Sequence, residues 1–552
     1  MKIIKNTYFR VLFVIALLVT VVANTGPGDR YFEIQKNLDI FITLYKEVNT
    51  YYVDDINPND LIKTGINAML ATLDPYTNYI PEDNIEDYRT MTTNQYGGIG
   101  ALIGKRNKKN MVLMPYKGFP AYKAGLEIGD EITKINGIEI SEKDTGEISK
   151  LLKGQANTDL LLTVKRYGAK KPFDVSLKRE KITINNVPYF GMVTDDIGYL
   201  KLQDFTTEAG KEVKEAVIKL KGEGAKKIIL DLRDNPGGLL GEAVNVSNVF
   251  VEKGALIVNT KGKVTDWNKA YKALNNPTDT DIPLVVITSS RSASASEIVA
   301  GVIQDYDRGV LVGAKSYGKG LVQTTRRLSY NSQLKVTTAK YYIPSGRCIQ
   351  AIDYSHRNED GSVGKIPDSL MVAFKTKNGR MVYDGGGITP DLPVKREFLA
   401  PISISLINNS LLFEYATKYK FEHEKIKPAK EFSLSETEYN AFVKWLETKK
   451  YDYTTKVEST IEALKEVSKE EKYFDEIQDQ ITALHNKVKH NKAFDLVKFK
   501  AQIKSMLEEE IVSRYYLQDG MIETSFDDDL DIQESVRILN NTEEYNKTLN
   551  AN

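Results

Sequence analysis

Ser292-Ala293-Ser294-Ala295-Ser296-Glu297 follows a β-forming run and opens a helical one. Ser294 and Glu297 have the spacing of a capping box, which satisfies the free N–H groups of a helix start. The same geometry suits a nucleophile. A serine at a strand-to-helix turn is exposed, and the helix start offers N–H groups to an oxyanion. A serine hydroxyl is weak without a base. Of the four histidines, only His356 falls within the β/α region, in a polar stretch between Asp353 and Asp360. A lysine serves instead if burial lowers its pKa towards neutrality. Lys319 is the candidate, because Gly318 and Gly320 flank it in a turn between two β-runs and permit close approach. Gln323, four residues on, has the reach to hold the amine, or else faces solvent from a strand.

Three glycine-bearing segments accompany this group. Asp231-Leu232-Arg233-Asp234-Asn235-Pro236-Gly237-Gly238 ends a buried run and suits a tight turn with exposed N–H groups, a second source of oxyanion donors, or a plain strand-to-helix loop. Tyr96-Gly97-Gly98-Ile99-Gly100 presents successive N–H groups, a nest for a carboxylate or a simple turn. Gly313 to Lys319 starts like a phosphate-binding loop. Gly320 then stands where a serine or threonine would hold magnesium, and Leu321 to Thr325 is β-forming where such a loop requires a helix. A nucleotide site is disfavoured.

Five regions must position these residues in a multidomain α+β chain. Residues 1–23 carry Lys2, Lys5 and Arg10 before an apolar run, Val11 to Ala23. That pattern predicts a signal peptide, cleaved or retained as a membrane anchor, and an extracytoplasmic, periplasmic location with inner-membrane association if retained. Residues 30–90 read as helices, with Ile34, Leu38, Phe41, Ile42 and Tyr45 at helical spacing and Asp74-Pro75 as a stop. Residues 91–179 change to short strands and glycine turns, Asn136-Gly137 being a hairpin signal. Residues 185–400 alternate strands and helices, an α/β layer pattern. Residues 401–552 are polar helices rich in lysine and glutamate, with the potential to dimerise or to bind an adaptor. There is no internal repeat and no low-complexity tract.

Composition narrows the function. Hydrophobic residues make up 41 % and charged residues 27 % of the 552, an ordinary globular mixture that excludes a disordered or collagen-like chain. Lysine plus arginine equals aspartate plus glutamate at 75 each, so no global charge argues for nucleic acid. A single cysteine, Cys348, excludes an internal disulfide framework and a cysteine-based zinc finger, and no histidine pair has the HExxH spacing. Neither metal nor cofactor is expected.

Taken in order, Ser292 to Glu297, Gln304-Asp305-Tyr306, Gly318-Lys319-Gly320, Gln323, Tyr342-Ile343-Pro344-Ser345-Gly346-Arg347 and Gly387-Ile388-Thr389-Pro390-Asp391 resemble the C-terminal processing peptidases, the tail-specific serine proteases of family S41. The resemblance spans about residues 30–395. It implies a crotonase-like layered core, with Ser294 as nucleophile by its 25-residue distance to the lysine base Lys319, and Gln323 as third member. It further implies the backbone N–H groups of Ala295 and Gly238 as oxyanion donors, and a structural role for Asp305. Pro120-Ala121, Ala124-Gly125-Leu126, Gly129-Asp130 and Ile135-Asn136-Gly137 resemble a PDZ domain, which implies capture of a peptide C-terminus at Gly97, Gly98, Ile99 and Gly100. The expectation is an endopeptidase acting on proteins with exposed C-terminal tails. The alternative is a catalytically silent PDZ scaffold that binds envelope proteins.

Overall fold

The computed structural model describes residues 27–395, 398–492 and 494–550. The proposed signal segment lies outside them. The chain forms two units, divided between Tyr79 and Ile80. The first holds helices α1 (Pro27–Tyr51) and α2 (Pro58–Ala71). Asn57 caps α2 by accepting the Asn59 N–H at 3.0 Å, and Pro58 takes the first helical position, whose N–H would be unpaired in any residue. The helix ends before Asp74-Pro75, as the proline predicts.

The second unit opens with α3 (Ile85–Thr93) and β1 (Gln95–Gly98). Strands β2 (Ala101–Arg106), β3 (Lys109–Pro115) and β4 (Glu131–Ile135) follow. Helix α4 (Thr145–Leu152) leads to β5 (Asp159–Lys165), β6 (Phe173–Lys178) and β7 (Glu180–Thr183). The order β2-β3-β4-β5-β6 is antiparallel throughout. β1 pairs with β7, which ties the segment before the sheet to the segment after it. Ile132, Ile135, Leu160, Leu162 and Val164 pack with Ile148 and Leu152 of α4 into one core.

The layered core is built on a six-stranded sheet with a second sheet beside it. In chain order it uses β8 (Tyr189–Met192), β9 (Ile197–Lys201), helix α5 (Ala209–Gly222), β10 (Lys227–Asp231) and helix α6 (Leu240–Ser247). It continues through β11 (Leu256–Gly262), β12 (Leu284–Thr288), helix α7 (Ala295–Asp305) and β13 (Val310–Gly313). The hairpin β14 (Leu321–Arg327) and β15 (Gln333–Tyr342) and the short β16 (Leu392–Pro393) complete it. The sheet order is β8-β9-β10-β12-β13-β16, parallel except for β8. The hairpin pairs with β11 in a second sheet. No helix follows Gly313, so the phosphate-loop reading fails on geometry as well as on Gly320.

Alternation along the parallel strands sorts their residues onto two buried faces. Ile228, Leu230, Leu284, Val286 and Leu311 join α5, α6 and α7 in one core. Ile229, Val285, Ile287, Val310 and Val312 face the other way. Continuous apolar runs result because both faces are covered.

The cover on the second face comes from residues 401–552, the charged helical extension. Helices α8 (Pro401–Asn408), α9 (Leu411–Glu422), α10 (Glu436–Leu446) and α11 (Lys500–Ser525) build a cluster of their own around Leu406, Leu412, Phe442 and Ile503. Helices α12 (Leu530–Asn540) and α13 (Thr542–Thr548) instead return to the sheet. Phe526, Ile532, Ile538, Leu539 and Tyr545 close its second face. The Tyr545 hydroxyl accepts the Leu284 N–H at 2.9 Å and donates to the Leu284 carbonyl at 3.0 Å. Tyr545→Phe leaves that buried N–H unpaired, at a cost of about 1–3 kcal/mol. We expect a melting temperature lower by about 4 °C. An unchanged melting curve would remove this anchor from the account.

Candidate active site

Ser294 sits between β12 and α7 with φ +55° and ψ −111°. A side-chain-bearing residue held there stores about 1–3 kcal/mol of strain, and such strain collects at functional sites. The capping box that the spacing predicts is present, with the Ser294 N–H donating to Glu297 Oε2 at 2.8 Å. Capping and exposure are therefore compatible. The two neighbouring serines differ. Ser292 is buried and its hydroxyl donates to the Leu232 carbonyl at 2.7 Å. Ser296 is buried and donates to the Asn235 carbonyl at 2.9 Å. Only Ser294 of the three lines a cleft of about 590 Å³, together with Gly238, Ala295, Lys319 and Gln323.

Glu297 does more than cap. Its side chain is fully buried, and four donors converge on it. Oε1 accepts the Ser316 hydroxyl at 2.5 Å and the Gly318 N–H at 2.7 Å. Oε2 accepts the Ser294 N–H and, at 2.9 Å, the Lys319 N–H. Burial pushes its pKa up, and the four hydrogen bonds pull against that rise. One carboxylate thus fixes the backbone of Ser294 to the backbone of Lys319. Tyr341, from β15, adds a second bridge. Its hydroxyl lies 2.6 Å from the Lys319 carbonyl and 3.1 Å from that of Ser294. Gly318, at φ +89°, is required here, since a Cβ on it would meet the Ala351 Cβ at 2.4 Å.

The Asp231 loop forms the facing wall. Asn235 locks it to the nucleophile turn, accepting the Ala293 N–H at 3.0 Å on its carbonyl and the Gly237 N–H at 2.9 Å on its side chain. Gly237 passes so close to Ser294 that a Cβ on it would lie 2.8 Å from the Ser294 Cβ. The Gly238 N–H and the Ala295 N–H take part in no hydrogen bond among the described residues. Asp231 itself faces away. Burial opposes its ionisation, yet Arg233 and the Tyr199 hydroxyl bring its pKa down to about 2. Arg233 also pairs with Asp529 at 2.6 Å and Asp531 at 3.0 Å, so the C-terminal segment grips this loop.

Gln323 stands at a β-bulge between β14 and β15, where the register shifts after Val322. The extra residue is Thr338 on β15, and Leu321, Val322 and Gln323 of β14 all line the cleft. The Gln323 amide donates to Thr337 Oγ1 at 3.3 Å. His356 pairs with Asp353 at 2.6 Å on an exposed strand and does not line the cleft. Asp305 is buried with Arg347 at 2.8 Å, and Gln304 accepts from the same guanidinium at 2.9 Å. Gln304 reaches on to Asp391, so these motif residues tie the scaffold together behind the cleft. Two contributors escaped the sequence reading, namely the second pair of donors on Glu297 and the Tyr341 bridge. The first left a trace in the box spacing; Tyr341 left none.

In the PDZ-like domain, a groove of about 160 Å³ runs between α4 and β2, an edge strand paired only with β3. Gly98 and Ile99 line it together with Tyr96, Ile148 and Lys153. Gly97 and Gly100 are not among the residues that line it. Gly97 lies in β1, where a Cβ would meet the Gly154 carbonyl at 2.0 Å, and Gly100, at φ +67°, passes the Phe119 Cβ at 2.3 Å. Both are glycines for close packing.

Parts of the chain match known protein families. Residues 196–356 match the model of peptidase family S41, residues 112–166 that of the PDZ domain, and residues 402–539 that described as "Probable PDZ-protease, C-terminal helical domain". A carboxy-terminal-processing protease of Bartonella bacilliformis is 39 % identical over 322 residues, 57 % of this chain and 73 % of that one. A CtpA-like serine protease of Staphylococcus aureus is 38 % identical over 343 residues, 61 % of this chain and 68 % of that one. Among solved structures, the photosystem II D1 C-terminal processing protease is 27 % identical, covering 65 % of this chain and 93 % of its own, with a TM-score of 0.36.

Glu297→Gln tests the four-donor carboxylate without changing its shape. An amide NH₂ in place of one oxygen would face two N–H or O–H donors, leaving them unpaired in a buried place. We expect a loss of about 2–4 kcal/mol in denaturant unfolding. A variant as stable as the parent would show that the carboxylate is not the organiser.

Proposed function

Since the chain belongs to peptidase family S41, with a PDZ domain and the C-terminal helical domain of PDZ-proteases, we propose that it cleaves proteins selected by their C-terminal tails through a serine–lysine mechanism. The observation that carries this reading is the Glu297 carboxylate, which holds the Ser294 and Lys319 backbones at one cleft beside two unengaged N–H groups. Ser294 Oγ attacks the scissile carbonyl carbon while neutral Lys319 Nζ takes its proton. The tetrahedral oxyanion receives the N–H groups of Ala295 and Gly238. As the C–N bond breaks, Lys319 returns the proton to the leaving amine. Water, deprotonated by the same lysine, then hydrolyses the acyl-enzyme. Gln323 orients the amine from the bulge. Lys335 also lines the cleft, but it sits on β15 opposite Thr325 and outside the Glu297 network, so Lys319 is the base.

The tail would add to the open edge of β2, and its carboxylate would meet the N–H groups of Ile99 and Gly100, which have no partner among the described residues. Lys153 lies at the groove, its ammonium 3.3 Å from Asp87 Oδ1.

Ser294→Ala and Lys319→Ala are each expected to lower kcat/KM on a tailed protein substrate by about a thousandfold or more with the fold intact. Ser292→Ala and Ser296→Ala should keep turnover per folded molecule. Amidating the substrate's C-terminus should weaken cleavage by the parent enzyme. An active Ser294→Ala protein overturns the nucleophile assignment, and equal turnover of amidated and free peptides removes the carboxylate capture alone.

We also infer an extracytoplasmic location from Lys2, Lys5 and Arg10 before the apolar run Val11 to Ala23. Among the described residues no helix is long and apolar enough to cross a membrane, so the inference rests on that run. Residues 1–30 fused to a reporter active only outside the cytoplasm should yield activity; an inactive, stable fusion contradicts the location.

A further inference from the structure

Two lysines line the cleft, and the proposed chemistry uses one of them. Lys335 is half-buried on β15. Its ammonium has neither an ion pair nor a hydrogen bond among the described residues. Burial alone pushes its pKa down. Asp204 lines the same cleft and forms no ion pair with it; burial pushes that carboxyl's pKa up. A partly desolvated charge without a partner is unfavourable, and an incoming carboxylate relieves it.

The hairpin register says where such a carboxylate would lie. Gln323 stands opposite Thr337, and Lys335 is two residues from Thr337 on the same strand, opposite Thr325. Side chains two apart share a face and are offset by about 6.6 Å. Gln323 and Lys335 therefore form a row along one wall, leading away from Ser294. The Tyr88 hydroxyl of α3 meets Thr325 Oγ1, opposite Lys335, at 2.5 Å and lines the cleft there. An extended peptide whose scissile bond is at Ser294 would pass Lys335 a few residues from that bond.

We propose that Lys335 is a specificity-determining residue that selects an acidic side chain in the substrate, a few positions from the cleaved bond. This rests on the serine–lysine peptidase reading of the same cleft.

The experiment uses the full chain and peptides that share one free C-terminal tail, with Glu, Gln or Lys placed in turn at each position around the cut. The common tail removes the terminal carboxylate as a source of any difference. The parent enzyme should favour Glu over Gln at one position by about tenfold in kcat/KM. In Lys335→Gln that ratio should fall to about one, in Lys335→Arg it should persist, and in Lys335→Glu the preference should turn to Lys. Absence of any acidic preference in the parent, or an undiminished preference in Lys335→Gln, overturns the proposal. A folded Lys335→Gln protein that cleaves none of the peptides also overturns it, because the residue would then belong to the reacting groups. A parent that cleaves nothing, or a Ser294→Ala variant that cleaves as well as the parent, would instead defeat the peptidase reading.

Discussion

Everything at the cleft depends on one buried carboxylate with four donors. Glu297 is on α7, Ser294 is the residue that starts α7, and Ser316, Gly318 and Lys319 come from the loop after β13. A carboxylate has lone pairs for four such bonds, and any neutral isostere has fewer. The arrangement converts two loops that share no sequence proximity into one rigid body. It also explains the strained backbone at Ser294. The N–H must point at Glu297 while the side chain points at the cleft, and φ near +55° is the conformation that allows both.

The layers behind that body hold it by ion pairs rather than by further packing alone. Arg347, almost fully buried, joins Asp305 and Gln304 at the end of α7. Arg233 joins Asp231 to Asp529 and Asp531, so the wall of the cleft is clamped from the helices that close the sheet. Removing one partner of such a buried pair is far more damaging than its net contribution suggests, because the remaining charge is left unpaired. The helical segment is in this sense part of the peptidase core, although most of it builds a separate cluster around Leu406 and Phe442.

The legible parts of the fold are those where local pattern and tertiary role coincide. The runs at Lys227, Leu284 and Val310 read as buried strands because both of their faces are covered. The strand-to-helix turn at Ser294 was legible because a β-run, a serine and a glutamate three residues later occur together. Gln323 stood undecided, since its direction is set by a bulge, and a bulge is a property of two strands together. Gly97 and Gly100 marked close approach but not its object, which is Gly154 for the first and Phe119 for the second. The return of α12 and α13 to the sheet was hidden for a similar reason. Ile532, Ile538 and Leu539 are few among acidic neighbours, and the strands they cover lie far away in sequence.

That distance has a consequence for the order of events during synthesis. The Tyr545 hydroxyl closes on Leu284 across 261 residues, and the cover of one face of the core sheet is incomplete until Tyr545 has left the ribosome. Pairings of such separation form late, since a long loop must close before any contact rewards it. The Asp231 loop, which Arg233 ties to Asp529 and Asp531, acquires its clamp at the same late stage. A nascent chain therefore carries Ser294 and Lys319 well before the wall that faces them is clamped. The facing wall of the cleft is thus the last part of it to become rigid.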